Sequence, residues 1–246
     1  MRLFSTSVWL RGAPVLLVAL ALVSASSALA GDVRGSLTVP GDLSSMSPSP
    51  DADAVRRLRY WEEWNGFLEA RPRRFDVANE IAVVLTGGPA SAGEQPAYRI
   101  HNGALSPATL VARAGTGIQI RNDDGTPYEL FAEGLSDFAA IQTAPGNARP
   151  ITVSAEGHWV IRDRLHPHLM GHLHAVPDLV ARAYVEASGA YVFRGVEPGT
   201  YMLRAFHGDS EIITATSVTV SGTGELVVPA IAVTAPAAAP AEPAAP

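Results

Sequence analysis

The chain predicts an all-β protein built as two sandwiches, and three observations lead there. From Gly31 to Val233 it is a series of short runs rich in β-branched and aromatic residues: "GSLTV", "IAVVLTG", "TLVARAG", "GIQIRN", "PITVSA", "HWVIRD", "GHLHAV", "AYVFRGV", "TYMLRAF" and "SVTVSG". Gly, Pro, Asn and Asp separate them, and closely spaced short strands with turn punctuation predict a sandwich or barrel. The chain has 246 residues and no cysteine, so its stability must come from burial, which this length supports in one or two domains. One segment alone has helical periodicity.

Residues 1–30 read as a signal peptide. Arg2 and Arg11 are its positive start, "APVLLVALALV" is its apolar stretch, and Ala28-Leu29-Ala30 is an A-x-A cleavage pattern before Gly31. The apolar stretch falls short of the ~20 residues of a membrane span. The reading is therefore a periplasmic or secreted protein with no membrane span after cleavage. The first strands follow in residues 31–88, with a helical insert at 51–72. There Val55, Leu58, Trp61, Trp64 and Leu68 lie three or four apart, Asp51 or Asp53 caps the start, and Pro72 fits the stop. The stripe is either core for the sandwich or, through Tyr60, Trp61, Trp64 and Phe67, a docking surface for an envelope or periplasmic protein. Residues 234–246, "TAPAAAPAEPAAP", are an Ala/Pro tail expected to be disordered. The net charge is −6, without a basic run carrying interleaved aromatics, which argues against a nucleic-acid partner.

The densest concentration of chemistry is "RLHPHLMGHLHAV", where His166, His168, His172 and His174 fall within nine positions. Their number does not make a metal site. Eight residues of extended chain span ~26 Å, so four histidines along it cannot meet at one ion. Within "GHLHAV", Leu173 and Ala175 take one face and His172 and His174 the other. With the apolar pair on the core, the two histidines are expected to face solvent. No G-x-S-x-G elbow is present, and the pairs Asp123-Asp124 and Glu62-Glu63 suit a turn and a solvated helix face. No enzyme activity is read from the chain.

Spacing is more informative than count. Gly157-x-Trp159-x-x-x-Asp163-x-x-His166 follows Asn122-Asp123-x-x-x-Pro127-Tyr128-Glu129, after an edge strand and a strand entered through Gly115 and Gly117. This pattern, over residues 98–176, resembles the cupredoxins, and among them the plastocyanin-like proteins often labelled methylamine-utilisation proteins. The resemblance implies a Greek-key sandwich with a metal pocket at one end. Carried over by position, the family's first histidine is Tyr128 here, its cysteine is Asp163, its second histidine is His166, and its methionine is Leu169, with Met170 one residue late. A blue-copper centre depends on a thiolate, so blue-copper electron transfer is excluded by composition.

The resemblance also implies that Tyr128, Asp163 and His166 converge. Two readings follow. They form a hydrogen-bonded polar cluster in which Tyr and His donate to Asp. Alternatively Tyr128, Asp163 and His166, with His168 or His172 assisting, hold a harder ion such as copper(II), zinc or iron(III). In the first case Asp163→Asn is expected to cost little. No cofactor is expected, with a copper or zinc ion as the alternative.

A second resemblance flanks the first. "GAYVFRGVEPGTYMLRAFHGDSEI", from Gly189, resembles the G-x-F-x-f-x-x-v-P-P-G-x-Y core of carboxypeptidase-regulatory-like domains. These are small prealbumin-like sandwiches classed with the carbohydrate-binding-like folds. "VRGSLTV" and "IAVVLTG" resemble that domain's opening strands. The expected organisation is a prealbumin-like sandwich from residues 31–88 and 177–233, interrupted by the cupredoxin-like module. His207 is expected at the surface end of a strand. The functional expectation is an exported, non-catalytic binding or assembly protein. The rivals are a periplasmic metal-binding protein and an electron-transfer accessory protein.

Overall fold

The computed structural model describes residues 30–39, 76–88, 96–135, 137–222 and 224–233. The signal peptide, the helix expected over 51–72 with its four aromatic docking candidates, and the Ala/Pro tail lie outside them. The first strand is β1 (Gly31–Thr38), followed after the undescribed stretch by a one-turn helix α1 (Val77–Glu80) and by β2 (Ile81–Thr86). The middle of the chain forms β3 (Ala97–His101), β4 (Ala104–Ser106), β5 (Thr109–Arg113), β6 (Gly117–Asn122), β7 (Tyr128–Ala132), β8 (Ile141–Thr143), β9 (Ala148–Thr152), β10 (Gly157–Asp163) and β11 (Met170–Val176). The last part gives β12 (Leu179–Arg182), β13 (Tyr184–Val185), β14 (Ala190–Val196), β15 (Gly199–His207), β16 (Ser210–Glu211), β17 (Thr216–Val220), β18 (Glu225–Val227) and β19 (Ile231–Ala232). The protein is nearly all β. Among the described residues no helix is long and apolar enough to cross a membrane.

These strands make four sheets. One runs β13-β14-β1-β18, with β19 also on β1; the next runs β12-β2-β15-β16, with β17 also on β15. The other two run β5-β11-β10-β7-β8 and β4-β3-β6-β9. The first pair encloses a core that includes Val33, Leu37, Val83, Leu85, Phe193 and Leu203. The second pair encloses a core that includes Tyr98, Ile120, Leu130, Phe138, Ile161 and Leu173. We call these the outer and inner sandwiches. Burying such alternating apolar rows is the main force holding each pair of sheets together.

A third, smaller cluster joins them. Val84 and Phe206 of the outer sandwich, with Leu179, pack against Val111 and Val176 of the inner one. The sheet containing β2 and β15 is therefore covered on both sides. In β2, Ile81, Val83 and Leu85 enter the outer core, while Ala82 and Val84 enter the seam. This explains why "IAVVLT" is a continuous apolar run. A strand covered on both faces needs apolar residues at both parities.

The seam corrects one expectation. His172 and His174 do take the face opposite Leu173 and Ala175, but that face is the seam. His174 is only 6% exposed, and its ring lies 4.7 Å from that of Phe206. The alternation was read correctly, and the wet side it implied is occupied by another sheet. His207, expected at the surface, is buried as well, with Nε2 3.5 Å from the equally buried Glu80 carboxylate. The helix α1 seats that carboxylate. Asp76 caps the helix by accepting from the Ala78 amide, and Glu80 Oε1 accepts from the Asp76 amide.

Candidate functional site

The site lies at the end of the inner sandwich where β10 runs out into the loop before β11. Asp163 is the last residue of β10, and its side chain is fully buried. One carboxylate oxygen, Oδ1, accepts from the amides of Leu165 (2.9 Å) and His166 (2.6 Å) and lies 2.8 Å from His166 Nδ1. The other, Oδ2, accepts from the Glu129 amide on β7. One side chain thus closes the turn after β10 and ties it to the neighbouring strand. The expectation that Asp163→Asn costs little is revised on this ground. An amide would turn an N–H toward donors that need an acceptor.

Tyr128 opens β7 beside this loop. Its ring centroid is 4.8 Å from that of His166, at a 53° tilt. The hydroxyl does not reach Asp163; it donates to Asp124 Oδ2 at 2.8 Å. Burial raises the Tyr128 pKa beyond the ordinary phenol range, and the Asp124 carboxylate raises it further. Asp124 also accepts from the amides of Gly103 and Asn102, at 2.9 and 2.7 Å, and these contacts hold its pKa down, with the Gly103 amide the foremost cause. Asn122, completely buried, shapes the same loop. Its amide nitrogen donates to the carbonyls of Thr126 and Thr143, and its oxygen accepts from the Asp124 amide.

The structure therefore brings Tyr128, Asp163 and His166 together. His168 stands nearby, edge-on to His166 with centroids 6.1 Å apart, and its pKa is lowered by burial and by the His166 ring. His172, the other assistant offered, is not there. Its strand turns it into the seam, where Nδ1 lies 3.0 Å from His158 Nε2. The chemistry of the cluster is that of a satisfied polar network. Each Asp163 oxygen faces N–H donors, Tyr128 is committed to Asp124, and Leu169, at the methionine position, is completely buried. With no cysteine in the chain, these residues do not fit a blue-copper centre. Among the described residues, no group of three or more His, Cys, Asp or Glu is placed to hold a metal ion.

Sequence reasoning missed two parts of this arrangement. Asp124 was read only as a turn residue, although Tyr128, four residues on, is within local reach of it. The second is the row His158, His172, His174. In the β10–β11 hairpin His158 pairs with His174, and Val160 with His172. Counting back from the loop 164–169 would have placed His158 on the face of the other two.

No protein-family model and no curated protein matches the chain. Among solved structures, it is similar to a purple cupredoxin from Nitrosopumilus maritimus, with 19% identity over 33% of this chain and 100% of that one, at a TM-score of 0.31. It is also similar to amicyanin from Paracoccus versutus, with 17% identity over 38% of this chain and 97% of that one, at a TM-score of 0.32. A third is a copper-containing nitrite reductase from Thermus scotoductus SA-01, with 17% identity over 42% of this chain and a TM-score of 0.31; the chain covers 27% of that protein.

Proposed function

We propose that the chain is an exported, non-catalytic binding or assembly protein of the periplasm or envelope. In this reading the inner sandwich is a cupredoxin-like module whose metal pocket is replaced by a hydrogen-bonded plug. The outer sandwich is a prealbumin-like module built from residues 31–88 and 177–233. The observation that carries the reading is Asp163: where blue copper needs a thiolate, a buried carboxylate accepts from N–H donors of its own loop on one oxygen and of β7 on the other. A ligand has to offer free lone pairs to a metal; here Oδ1 already takes three N–H contacts and Oδ2 accepts from the Glu129 amide.

The test is a copper(II) titration of the purified mature chain, followed by visible absorption and thermal melting with and without chelator. The expected outcome is no intense visible charge-transfer band and a Tm that chelator leaves unchanged. A ligand that binds only the folded state would raise Tm, so a chelator-sensitive Tm would transfer the site to the metal-binding reading. The partner-docking element in this proposal is the aromatic stripe of Tyr60, Trp61, Trp64 and Phe67. Deleting residues 51–72 should leave a folded protein that no longer co-purifies with its envelope partners. A deletion that unfolds the chain would make the stripe core instead.

A further inference from the structure

The seam between the sandwiches holds a row of titratable rings that the plug does not use. His158 on β10 and His172 and His174 on β11 share one face of their sheet. His158 and His172 are stacked, with centroids 5.3 Å apart at 11°, and the His158 and His174 centroids are 4.6 Å apart. The turn between β15 and β16 sits on this row. His174 Nε2 lies 2.7 Å from the Gly208 carbonyl oxygen, and the Gly208 amide donates to Thr109 Oγ1 on β5 at 2.9 Å. That turn depends on Gly208, whose φ of +57° is in the left-handed region.

We propose that His158, His172 and His174 form an acid-sensitive latch that holds the 207–210 turn on the inner sandwich, closed when the rings are neutral and released locally when they are protonated. The contact between His158 Nε2 and His172 Nδ1 needs one nitrogen to keep its lone pair. Two imidazolium rings cannot make it, and they would repel at this distance. The other His172 nitrogen, Nε2, is buried without a hydrogen-bond partner, so a proton added to the ring has no acceptor inside the seam.

The surrounding charges favour neutral rings at neutral pH. From the turn, His207 adds a further repulsion on His172, and Arg204 of β15 one on His174. Acting in the other direction are the Gly208 carbonyl on His174 and the Asp209 carboxylate on all three rings, so release has to come from the repulsion among the rings rather than from loss of the Gly208 contact. β5 and β2 face the row with Thr109, Val111, Ala82 and Val84, which do not titrate. Burial is the largest cause at each ring, and it sets His172 and His174 at about 4. The Asp209 carboxylate, held low chiefly by the Ser210 hydroxyl, stays charged through this range. Release therefore begins with the histidines.

Amide hydrogen exchange of the full chain between pH 7.5 and 4, corrected for the intrinsic rate, tests the latch. Protection of the Gly208 amide should fall at least about tenfold further across the range than that of inner-core amides on β6 and β7, which lose only what global stability loses. In the double variant His172→Gln/His174→Gln, the new side-chain amide at position 174 can still donate to the Gly208 carbonyl, and Gly208 protection should become flat with pH. Flat protection in the native chain, or a variant as pH-dependent as the native chain, would overturn the proposal. If the variant does not fold, imidazole proton NMR of the native chain decides. Protonation of both rings below pH 5.5 together with Gly208 deprotection supports the latch, and titration near 6.5 with the turn unmoved refutes it.

Discussion

Asp163 shows how much one side chain can organise when it is buried with its charge satisfied. Four N–H groups from three residues converge on two oxygens, so the loop after β10 needs little else to define it. Hydrogen bonds to a charged acceptor contribute about 1.5–3 kcal/mol each, and leaving a buried donor unpaired costs a similar amount. Asp163→Asn keeps one acceptor oxygen and sets an NH2 group against amides. We expect a loss of about 3 kcal/mol in urea unfolding. A loss under about 0.5 kcal/mol would return the site to the tolerant cluster expected from sequence. Tyr128→Phe, by contrast, removes one partly buried hydroxyl whose partner Asp124 keeps two backbone donors, and should cost about 1 kcal/mol.

At the scale of elements, turns decide where strands end. The turn between β13 and β14 closes with Gly189, whose amide donates to the Glu186 carbonyl and whose carbonyl accepts from the Leu37 amide of β1. Its φ is +84°, and a Cβ there would stand 2.7 Å from the Leu37 carbonyl oxygen. Gly189→Ala must therefore meet both the left-handed backbone cost and a backbone clash, and should lose about 2 kcal/mol or more. Gly115 is the internal control. It has nearly the same φ, +83°, but nothing within 4 Å of the added Cβ, so Gly115→Ala should lose only about 1 kcal/mol. Equal losses in thermal or urea unfolding would mean that β1 yields to the new methyl group, and the close approach is not structural.

Across the whole molecule, the seam couples stability to acid. His172 and His174 sit at about 4 in the fold, against ~6.5 when unfolded. Above pH 6.5 both states hold these rings neutral, and stability is complete. As pH falls from 6.5 through 4, the unfolded chain takes up protons that the fold refuses, so stability drops by about 1.4 kcal/mol per pH unit for each proton. Asp124 and Asp209 are displaced below the usual carboxylate range, and their contributions are lost only at lower pH as each is protonated. Tm measured against pH should therefore fall in two stages, the first between 6.5 and 4. If the first stage persists unchanged in His172→Gln/His174→Gln, these rings are not its source.

The sequence by itself marked ten of the strands, the alternation of their faces and, through the resemblance, Tyr128, Asp163 and His166 of the plug. β6 (Gly117–Asn122) and β14 (Ala190–Val196) have the bounds that their own residues predict, because alternation and Gly punctuation are local properties. The meeting of Tyr128, Asp163 and His166 was readable through the resemblance, although the turn of the Tyr128 hydroxyl toward Asp124 was not. Only the tertiary structure decided what lies against each face. The parity of His172 and His174 follows from Leu173 and Ala175, but whether the opposite side meets water or Phe206 depends on how four sheets stack. The same is true of Glu80 and His207, far apart in sequence, whose carboxylate and ring meet because β2 pairs with β15 and sets Ile81, next to Glu80, opposite His207. Periodicity assigns a side chain to a face, whereas the partner on that face comes from burial between distant segments, which no local pattern records.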